Sequence, residues 1–231
     1  MLTLRTVIRD LRSVLFPQRC HLCGNPLSEH EEILCTQCLE HLPRTYFNQM
    51  EYNPMEERFL GRVQFVAGGA FLHFRKKTIS QRAVHQIKYH GDLKLAAYIG
   101  TMIGREIADT HRFDDVDVLL PIPLHPRKRR KRGYNQSLEI CKGIASTFPR
   151  PIETKAVVRT RHTDTQTLRN RIERMDNMTD VFRITDAKAL HGKHILVFDD
   201  VITSGATVEA CCRAILDVPT TKISIFCLAL A

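Results

Sequence analysis

The stretch ILVFDDVITSGAT, residues 195–207, decides the fold class of this chain. Four apolar residues precede Asp199 and Asp200, two more apolar residues follow, and Thr-Ser-Gly-Ala-Thr then opens a helical pattern. We expect the strand to end at the two aspartates, because two carboxylates do not continue a buried strand without partners. The stretch therefore predicts a buried strand, a tight turn and a helix in direct succession.

The turn has the chemistry of a phosphate site. Backbone N–H groups at a helix N-terminus lack internal acceptors, and the helix dipole favours negative charge there. Thr203, Ser204 and Thr207 add hydroxyl donors, and Gly205 lets an oxyanion approach the backbone, but no Walker Gly-Lys-Ser/Thr follows. Carboxylates beside a phosphate suit vicinal hydroxyls or Mg²⁺, so a ribose 5-phosphate fits. The alternative is an ordinary strand–turn–helix with an acidic turn.

The same alternation of strand and helix extends on both sides of this stretch. Apolar runs predict strands at VDVLLPI, KAVVR, HILVFDD and ISIFCLAL, and amphipathic patterns predict helices between them, including SLEICKGIASTF, LRNRIERM and ATVEACCRAILD. Two further helices, TISQRAVHQIKYHGD and LKLAAYIGTMIGREIADT, precede them. Continuous apolar strands separated by helices are typical of a parallel sheet covered on both faces. We predict an α/β fold, whose ligands bind beyond the carboxyl ends of the strands.

Length and composition limit the remaining possibilities. The 231 residues and 43% hydrophobic content suit one large domain with a small appendage. Residues 1–16 have the spacing of an amphipathic helix, and Arg5, Arg9 and Arg12 interrupt any signal-peptide core. No apolar run approaches the roughly 20 residues of a membrane span. We expect a cytoplasmic protein without a membrane span.

The net charge of +9 is concentrated in two segments. Residues 127–132 carry six cations in succession, and residues 159–174 hold five arginines against Asp164 and Glu173. Six plus a net of three accounts for the whole excess, which favours anion-binding sites over a generally basic surface. The six-cation run is a solvated surface run, a nucleic-acid patch or a site for a small polyphosphate.

Four of the eight cysteines form two Cys-x-x-Cys pairs, Cys20 with Cys23 and Cys35 with Cys38. Each pair presents two thiolates from a tight turn, and two such turns close a tetrahedron around Zn²⁺. We predict a structural zinc ribbon over residues 17–45, folded largely by its metal; two disulfides or redox pairs are the alternative. The other four lie in apolar patterns and are predicted core residues: Cys141, Cys211, Cys212 and Cys227.

Residues 195–207 resemble the 5-phosphoribosyl-1-pyrophosphate (PRPP) motif of type I phosphoribosyltransferases, with Ser204 and Ala206 as mild departures from the commoner Thr and Gly. The motifs CHLCG, CTQC, HQIKYHGD, LPIPLHPRKRRKRGYNQ and RTRHTDTQTLRNRIER precede it, in the order seen in the ComF family of competence proteins. The resemblance covers nearly the whole chain from about Phe16. It implies a zinc ribbon followed by a type I phosphoribosyltransferase-like domain, here residues 46–231, and a role in DNA uptake during natural transformation.

The resemblance also implies which residues bind PRPP. Asp199 and Asp200 would hold the ribose hydroxyls, and the turn would hold the 5-phosphate through Thr203, Ser204, Gly205, Ala206 and Thr207. The loop after LLPIP would grip the pyrophosphate, with Leu124, His125 and Arg127 as its expected residues. A closing loop corresponds to residues 159–171, which offers Arg161, Gln166, Arg169 and Arg171. Arg161 and Arg169, with Asp199 and Asp200, are the catalytic candidates if the protein is an enzyme acting with Mg²⁺.

The rest of the cationic run exceeds what one pyrophosphate uses. We predict that it contacts single-stranded DNA, together with one aromatic residue, through Lys128, Arg129, Arg130, Lys131, Arg132 and Tyr134. Three functions stay open. They are a PRPP-binding protein in DNA uptake, a true phosphoribosyltransferase with an unknown small acceptor, and a non-catalytic nucleic-acid module or scaffold for competence helicase or pore proteins.

Overall fold

The computed structural model describes residues 18–160 and 181–231. The helices predicted over 1–16 and 168–175 lie outside the described residues. The described helices are α1 (Thr36–Glu40), α2 (Pro54–Phe59), α3 (Ile79–Tyr89), α4 (Leu93–Ala108), α5 (Pro126–Arg132), α6 (Gln136–Thr147) and α7 (Ala206–Leu216). The strands are β1 (Gly68–His73), β2 (Val118–Pro121), β3 (Val157–Arg159), β4 (Phe182–Ile184), β5 (His194–Ile202) and β6 (Lys222–Leu230).

The centre of the molecule is a four-stranded sheet in the order β1-β6-β5-β2. All three strand pairs are parallel, and Pro121 at the end of β2 lies opposite Phe198 of β5. The carboxyl ends of β2 and β5 therefore meet at one edge of the sheet. The α/β class with a parallel sheet, predicted from the continuous apolar strands, is confirmed.

Both faces of the sheet are buried, because successive side chains of a strand point to opposite sides. On β5, Leu196 and Phe198 pack into a core with α3, α4 and α6, whereas Ile195 and Val197 pack into a second core with α2 and α7. The four cysteines predicted to be core residues are buried in these two cores.

Helices α4 and α6 pack at backbone contact through glycines. A methyl group added to Gly100 would lie 2.2 Å from the carbonyl oxygen of Ile140, and one added to Gly143 would lie 2.1 Å from that of Ala97. Only glycine fits at either position, so the two glycines allow the backbones of α4 and α6 to pack in direct contact.

The cysteine-rich segment packs onto the main core instead of forming a core of its own. Leu22, Leu34 and Leu42 belong to the same cluster of buried residues as α3 and α4. His21 Nδ1 lies 2.5 Å from a carboxylate oxygen of Asp92, which also caps the first turn of α4. The segment is therefore anchored at the junction between α3 and α4.

Two predictions about strands are wrong. Strand β5 does not end at the aspartates but continues to Ile202, because Ser137 and Lys88 give the two carboxylates partners. The KAVVR segment does not join the parallel sheet: β3 pairs antiparallel with β4. The place beside β2 is taken by Ile152, which bridges to Leu119.

Candidate functional site: a phosphate loop beside two buried aspartates

The loop between β5 and α7 lies at the carboxyl edge of the sheet. Thr203 and Ser204 are exposed there, and Gly205 caps α7 in a left-handed conformation with φ of 79°. A methyl group on Gly205 would lie 2.9 Å from Cζ of Phe59, so this position needs glycine for its conformation and for its space. The loop delivers the first N–H groups of an 11-residue helix to the surface, where they suit an anion.

Two arginines from the chain around α2 hold this loop from behind. Arg58 donates to the carbonyl oxygen of Thr203, and Nη1 of Arg62 donates to that of Ser204 at 2.9 Å. Nε of Arg62 also donates to Glu209 in the first turn of α7, at 2.9 Å. The carbonyl groups of the loop therefore point to the arginines, and Arg62 links the loop to the first turn of α7.

Arg58 and Arg62 were not predicted from the sequence. Arg58 lies in the last turn of α2, whereas Arg62 lies in the turn that follows the helix, so no helical spacing links the two side chains. No local pattern distinguishes them from other surface arginines.

Asp199 and Asp200 lie in the last part of β5, immediately before the loop. Asp200 is buried, whereas Asp199 is partly buried and accepts a hydrogen bond of 3.1 Å from the hydroxyl of Ser137. Burial, followed by the charge of Asp200, raises the pKa of Asp199 from 3.8 to about 7. One of the two carboxylates therefore holds its proton up to neutral pH unless a ligand or cation stabilises the charge.

Lys88 of α3 supplies the charge opposite Asp200. Its Nζ lies 3.1 Å from Oδ2 of Asp200, yet that buried oxygen makes no hydrogen bond with the described residues. Lys88 stands four residues after the buried Val84, at the spacing of the apolar face of α3. A cation on an otherwise apolar helix face is the one feature of the sequence that marks Lys88.

The carboxylate pair fits the groups expected to bind it. A buried carboxylate oxygen without a hydrogen bond accepts one from a ribose hydroxyl, and carboxylate oxygens are the ligands that Mg²⁺ takes in proteins. Asp199 and Asp200 are therefore the residues that would hold a ribose or Mg²⁺.

The loop after β2 lies at the same edge. The N–H of Ile122 donates to the carbonyl oxygen of Phe198 at 2.9 Å, so the chain leaves β2 alongside the residue before Asp199. His125 then caps α5, because its Nδ1 accepts from the N–H of Arg127 at 3.2 Å. Leu124 and His125 are partly buried and Arg127 is exposed. The structure brings this loop and the β5–α7 loop to one edge, as the strand order requires.

The closing loop predicted over 159–171 falls mostly on residues that the structure does not describe, including Arg161, Gln166, Arg169 and Arg171. Its first residue, Arg159, is described at the end of β3. Burial lowers the pKa of Arg159, and the charge of Asp199 acts in the opposite direction. The segment therefore starts close enough to the aspartates for their charges to interact.

The four predicted metal ligands form one cluster. The sulfurs of Cys20, Cys23, Cys35 and Cys38 all lie within 4.8 Å of one another, and those of Cys23 and Cys35 are 3.6 Å apart. Tetrahedral zinc with Zn–S distances of about 2.3 Å needs sulfurs about 3.8 Å apart, so the cluster fits the ion. All four ligands come from protein, which is the arrangement of a structural site.

The cationic run of the sequence is a helix. It forms α5, which ends at Gly133 in the left-handed conformation and has no buried residue. The residues predicted to contact DNA occupy its length: Lys128, Arg129, Arg130, Lys131 and Arg132. Tyr134 is partly buried, and its hydroxyl donates to the carbonyl oxygen of Ile87, which ties the end of α5 to α3.

The sequence is similar to curated bacterial proteins. It is 24% identical over 212 residues to the DNA utilization protein YhgH of Escherichia coli O157:H7, covering 90% of this chain and 82% of that protein. Competence protein F of Haemophilus influenzae is 26% identical over 152 residues, which are 65% of this chain and 66% of that protein. Competence protein ComFC of Bacillus subtilis is 23% identical over 206 residues, 86% of this chain and 71% of that protein. No model of a protein family matches the sequence.

Two solved structures show a weaker likeness. They are the glutamine PRPP amidotransferase from B. subtilis complexed with ADP and GMP, at 17% identity and a TM-score of 0.40, and the allosteric regulatory enzyme of purine biosynthesis, at 16% and 0.38. The similar part covers 57% and 56% of this chain but only 25% of each enzyme. In the part of the chain that the structure describes, no helix has the length and apolar character to cross a membrane.

Proposed function

From the relation of this chain to competence proteins F and ComFC and to DNA utilization protein YhgH, we propose that it binds PRPP with Mg²⁺ and acts in DNA uptake, in contact with single-stranded DNA. The observation that carries the PRPP part is the loop of Thr203–Gly205, which two arginines hold and which closely follows the partly buried Asp199 and the buried Asp200. A phosphate site with a diol acceptor beside it is what a ribose 5-phosphate requires.

Each part of the site has a task in binding. The loop and the first turn of α7 take the 5-phosphate through backbone N–H groups and the hydroxyls of Thr203, Ser204 and Thr207. Asp199 and Asp200 accept from the ribose hydroxyls, and the loop at Leu124, His125 and Arg127 faces the pyrophosphate. Mg²⁺, when bound, neutralises charge on the pyrophosphate.

If the protein turns PRPP over, no protein nucleophile is required. Loss of pyrophosphate from C1′ leaves an oxocarbenium-like centre, and arginines stabilise the leaving group through bidentate contacts. Asp200 or a neighbouring acid would then accept the proton of an incoming amine. Arg161 and Arg169 are the proposed catalytic arginines.

The test is calorimetric titration of PRPP in the presence of Mg²⁺. We expect the double variant Asp199→Asn/Asp200→Asn to bind PRPP at least about 100-fold more weakly, because hydrogen bonds to two charged groups are lost at about 1.5–3 kcal/mol each. Asp217→Asn, at the exposed far end of α7, is the matched control and keeps normal affinity. Unchanged affinity in the double variant would contradict the PRPP site.

A second titration with ribose 5-phosphate separates the two halves of the site. It should bind through the β5–α7 loop and the two aspartates without the pyrophosphate loop, so replacing Arg127 weakens PRPP binding but leaves ribose 5-phosphate binding unchanged. Phosphorus NMR of the same samples distinguishes a binding protein from an enzyme. Release of pyrophosphate without DNA supports the transferase, and intact PRPP supports the binding protein.

The alternative of a non-catalytic nucleic-acid module is favoured by one feature. Helix α5 exposes a row of cations that no single small ligand could use. DNA binding that PRPP does not compete with, and that fails when Arg129, Arg130, Lys131 and Arg132 are replaced, supports this alternative.

A further inference from the structure

The outer face of α3 carries a row of exposed rings. Tyr89 is 65% exposed, and its ring centroid lies 4.5 Å from that of His85. The ring of His85 in turn lies 5.7 Å from that of His90. Among the described residues no hydrogen bond fixes the hydroxyl of Tyr89. Tyr89 therefore presents a large flat ring to solvent, with a second exposed ring beside it.

This row continues the cationic helix α5. The guanidinium of Arg132, the last residue of α5, lies 5.9 Å from the centroid of the Tyr89 ring. The hydroxyl of Tyr134 fixes the chain after α5 to the backbone of α3 at Ile87. The cations of α5 and the rings of α3 therefore form one surface.

At its other end the row opens into a basic groove of about 370 Å³, lined by Lys77, Thr78, Gln81, Arg82, His85 and Gln86. Residues 74–91 contain five cations and no acidic residue. No carboxylate of the described residues forms an ion pair with the exposed Arg75, Lys77 or Arg82. This segment does not stand out in the net charge of the chain, because acidic residues elsewhere balance its five positive charges.

We propose that the outer face of α3 is a second binding segment for single-stranded nucleic acid, continuous with α5. A base stacks on Tyr89 beside His85, while phosphates lie against Arg132 on one side and against Lys77 and Arg82 on the other. Alternation of rings and cations matches the alternation of bases and phosphates in a single strand. The inference rests on the proposed contact of α5 with single-stranded DNA and extends it to residues for which that contact gives no role.

The face is better suited to a nucleic acid than to an acidic peptide. A peptide carboxylate needs the cations but has no use for an exposed ring, whereas every base has a flat face that stacks on one. A base stacked on an aromatic side chain contributes about 1–3 kcal/mol to binding. Removing the aromatic residue therefore lowers the affinity for the nucleic acid by about 5- to 150-fold.

The experiment measures binding of the full chain to fluorescein-labelled oligothymidylate of 20 nucleotides by fluorescence anisotropy, without PRPP. We expect Tyr89→Leu to raise the Kd by at least about 5-fold and Tyr89→Phe to restore it. Tyr52→Leu is the matched control, because Tyr52 is 80% exposed but lies in a groove with Glu51, Glu56 and Glu57. It should bind the oligonucleotide normally.

Salt dependence separates the ring from the cations. Tyr89→Leu removes no charge, so the slope of log K against log salt should stay as in the native chain. The double variant Lys77→Gln/Arg82→Gln should make that slope less steep by about 1.4, because each phosphate contact on a single strand contributes about 0.7. Circular dichroism of each variant checks that α3 still folds.

The outcomes distinguish this inference from the proposed function. Loss of binding when α5 is neutralised, with unchanged binding in Tyr89→Leu and Lys77→Gln/Arg82→Gln, overturns the inference alone. Native protein that does not bind the oligonucleotide overturns both. A third outcome is that polyglutamate displaces the oligonucleotide when its carboxylates are as concentrated as the phosphates, and does so equally in the native chain and in Tyr89→Leu. That outcome identifies an acidic peptide as the occupant and also overturns the inference.

Discussion

The two regions of this molecule that we propose bind anions are built in opposite ways. The β5–α7 loop uses backbone N–H groups, one glycine and two largely buried carboxylates, and two arginines fix it from behind. The basic face of α3 and α5 uses exposed side chains on two helices, and α5 has no buried residue at all. In the first region most of the charged side chains have partners within the protein, whereas the second is open and exposes more of its cations.

The difference indicates two kinds of ligand. A rigid loop with carboxylates beside it selects one small molecule by shape and by hydrogen bonds, and the carboxylates repel any anion that lacks hydroxyls. An open row of cations and rings accepts a polymer in many registers, and its affinity comes from the number of phosphates neutralised. We expect experiments to separate the two regions by salt, by pH and by backbone conformation.

Salt gives the largest expected difference. If the basic face neutralises about six phosphates, raising salt from 50 to 200 mM weakens oligothymidylate binding by roughly 300-fold, at about 0.7 per phosphate in the slope of log K. PRPP binding in the fixed loop should change far less. Anisotropy and calorimetry at both salt concentrations measure the two effects. Equal salt sensitivity of the two ligands would remove the distinction.

The second prediction concerns the stability of the ligand-free protein at different pH values. The pKa of Asp199, raised to about 7 by burial and by Asp200, exceeds its unfolded value of 3.8. The native state therefore binds the proton more tightly, so stability is lost as the pH rises from about 4 to 7. Asp199→Asn removes this loss, and its stabilisation should be larger at pH 8 than at pH 5.5 by on the order of 1–2 kcal/mol.

Urea unfolding at the two pH values measures that gain. Asp217→Asn serves as the control and should show no such pH dependence. If Asp199→Asn is destabilised equally at both pH values, the pKa of Asp199 is not raised in the native state. The expected result is also the sign of a binding site, since the stabilised variant should lose affinity for PRPP.

Backbone conformation gives the third test. Gly205→Ala places a methyl group against Phe59 and strains a left-handed residue, at about 1–3 kcal/mol, so PRPP affinity should fall by about tenfold or more. Gly133→Ala is matched to it, because Gly133 has φ of 86° and nothing within 4 Å of the added carbon. Its effect should be confined to α5 and DNA. A loss of PRPP affinity in Gly133→Ala, with none in Gly205→Ala, would reverse the comparison.

Loss of the metal should produce the smallest change in ligand affinity, and it should affect one of the two regions only. We expect a single zinc ion per chain by mass spectrometry, lost in Cys23→Ser and retained in Cys212→Ala. Because His21 anchors the cluster to Asp92 beside α3, metal loss should weaken oligothymidylate binding a few-fold and leave PRPP binding unchanged. Native protein that contains no zinc would contradict the site.

Much of the fold was predictable because each of several local patterns in the sequence has a single physical cause. Apolar runs such as HILVF predict buried strands because both faces of the sheet are covered, and the two Cys-x-x-Cys pairs predict the sulfur cluster because tetrahedral zinc requires that spacing. The end of β5 was predicted wrongly for the opposite reason. Two aspartates continue a strand only when distant residues neutralise them, and Lys88 lies 112 positions before Asp200.

The site was predictable where a single segment forms it and unpredictable where several do. The loop proposed to bind phosphate lies within 13 consecutive residues, so one motif was enough to predict it. Arg58 and Arg62 reach the loop from α2 and from the turn after it, and nothing local marks them. Lys88 reaches Asp200 from α3, and only its position on the apolar face of that helix marks it. The cations of residues 74–91 were not predicted as a binding surface because acidic residues elsewhere in the chain balance their charge.

Lys88 and Tyr89 are consecutive residues of α3, and they point to different regions. Lys88 is held at Asp200, and Tyr89 stands on the outer face beside Arg132. A sugar phosphate bound at Asp200 would compete with Lys88 for that carboxylate, and so would act on the helix that carries Tyr89. Any free-energy coupling between the two ligands must then be equal in both directions, so a sugar phosphate that tightens the hold on DNA is itself held more tightly when DNA is present.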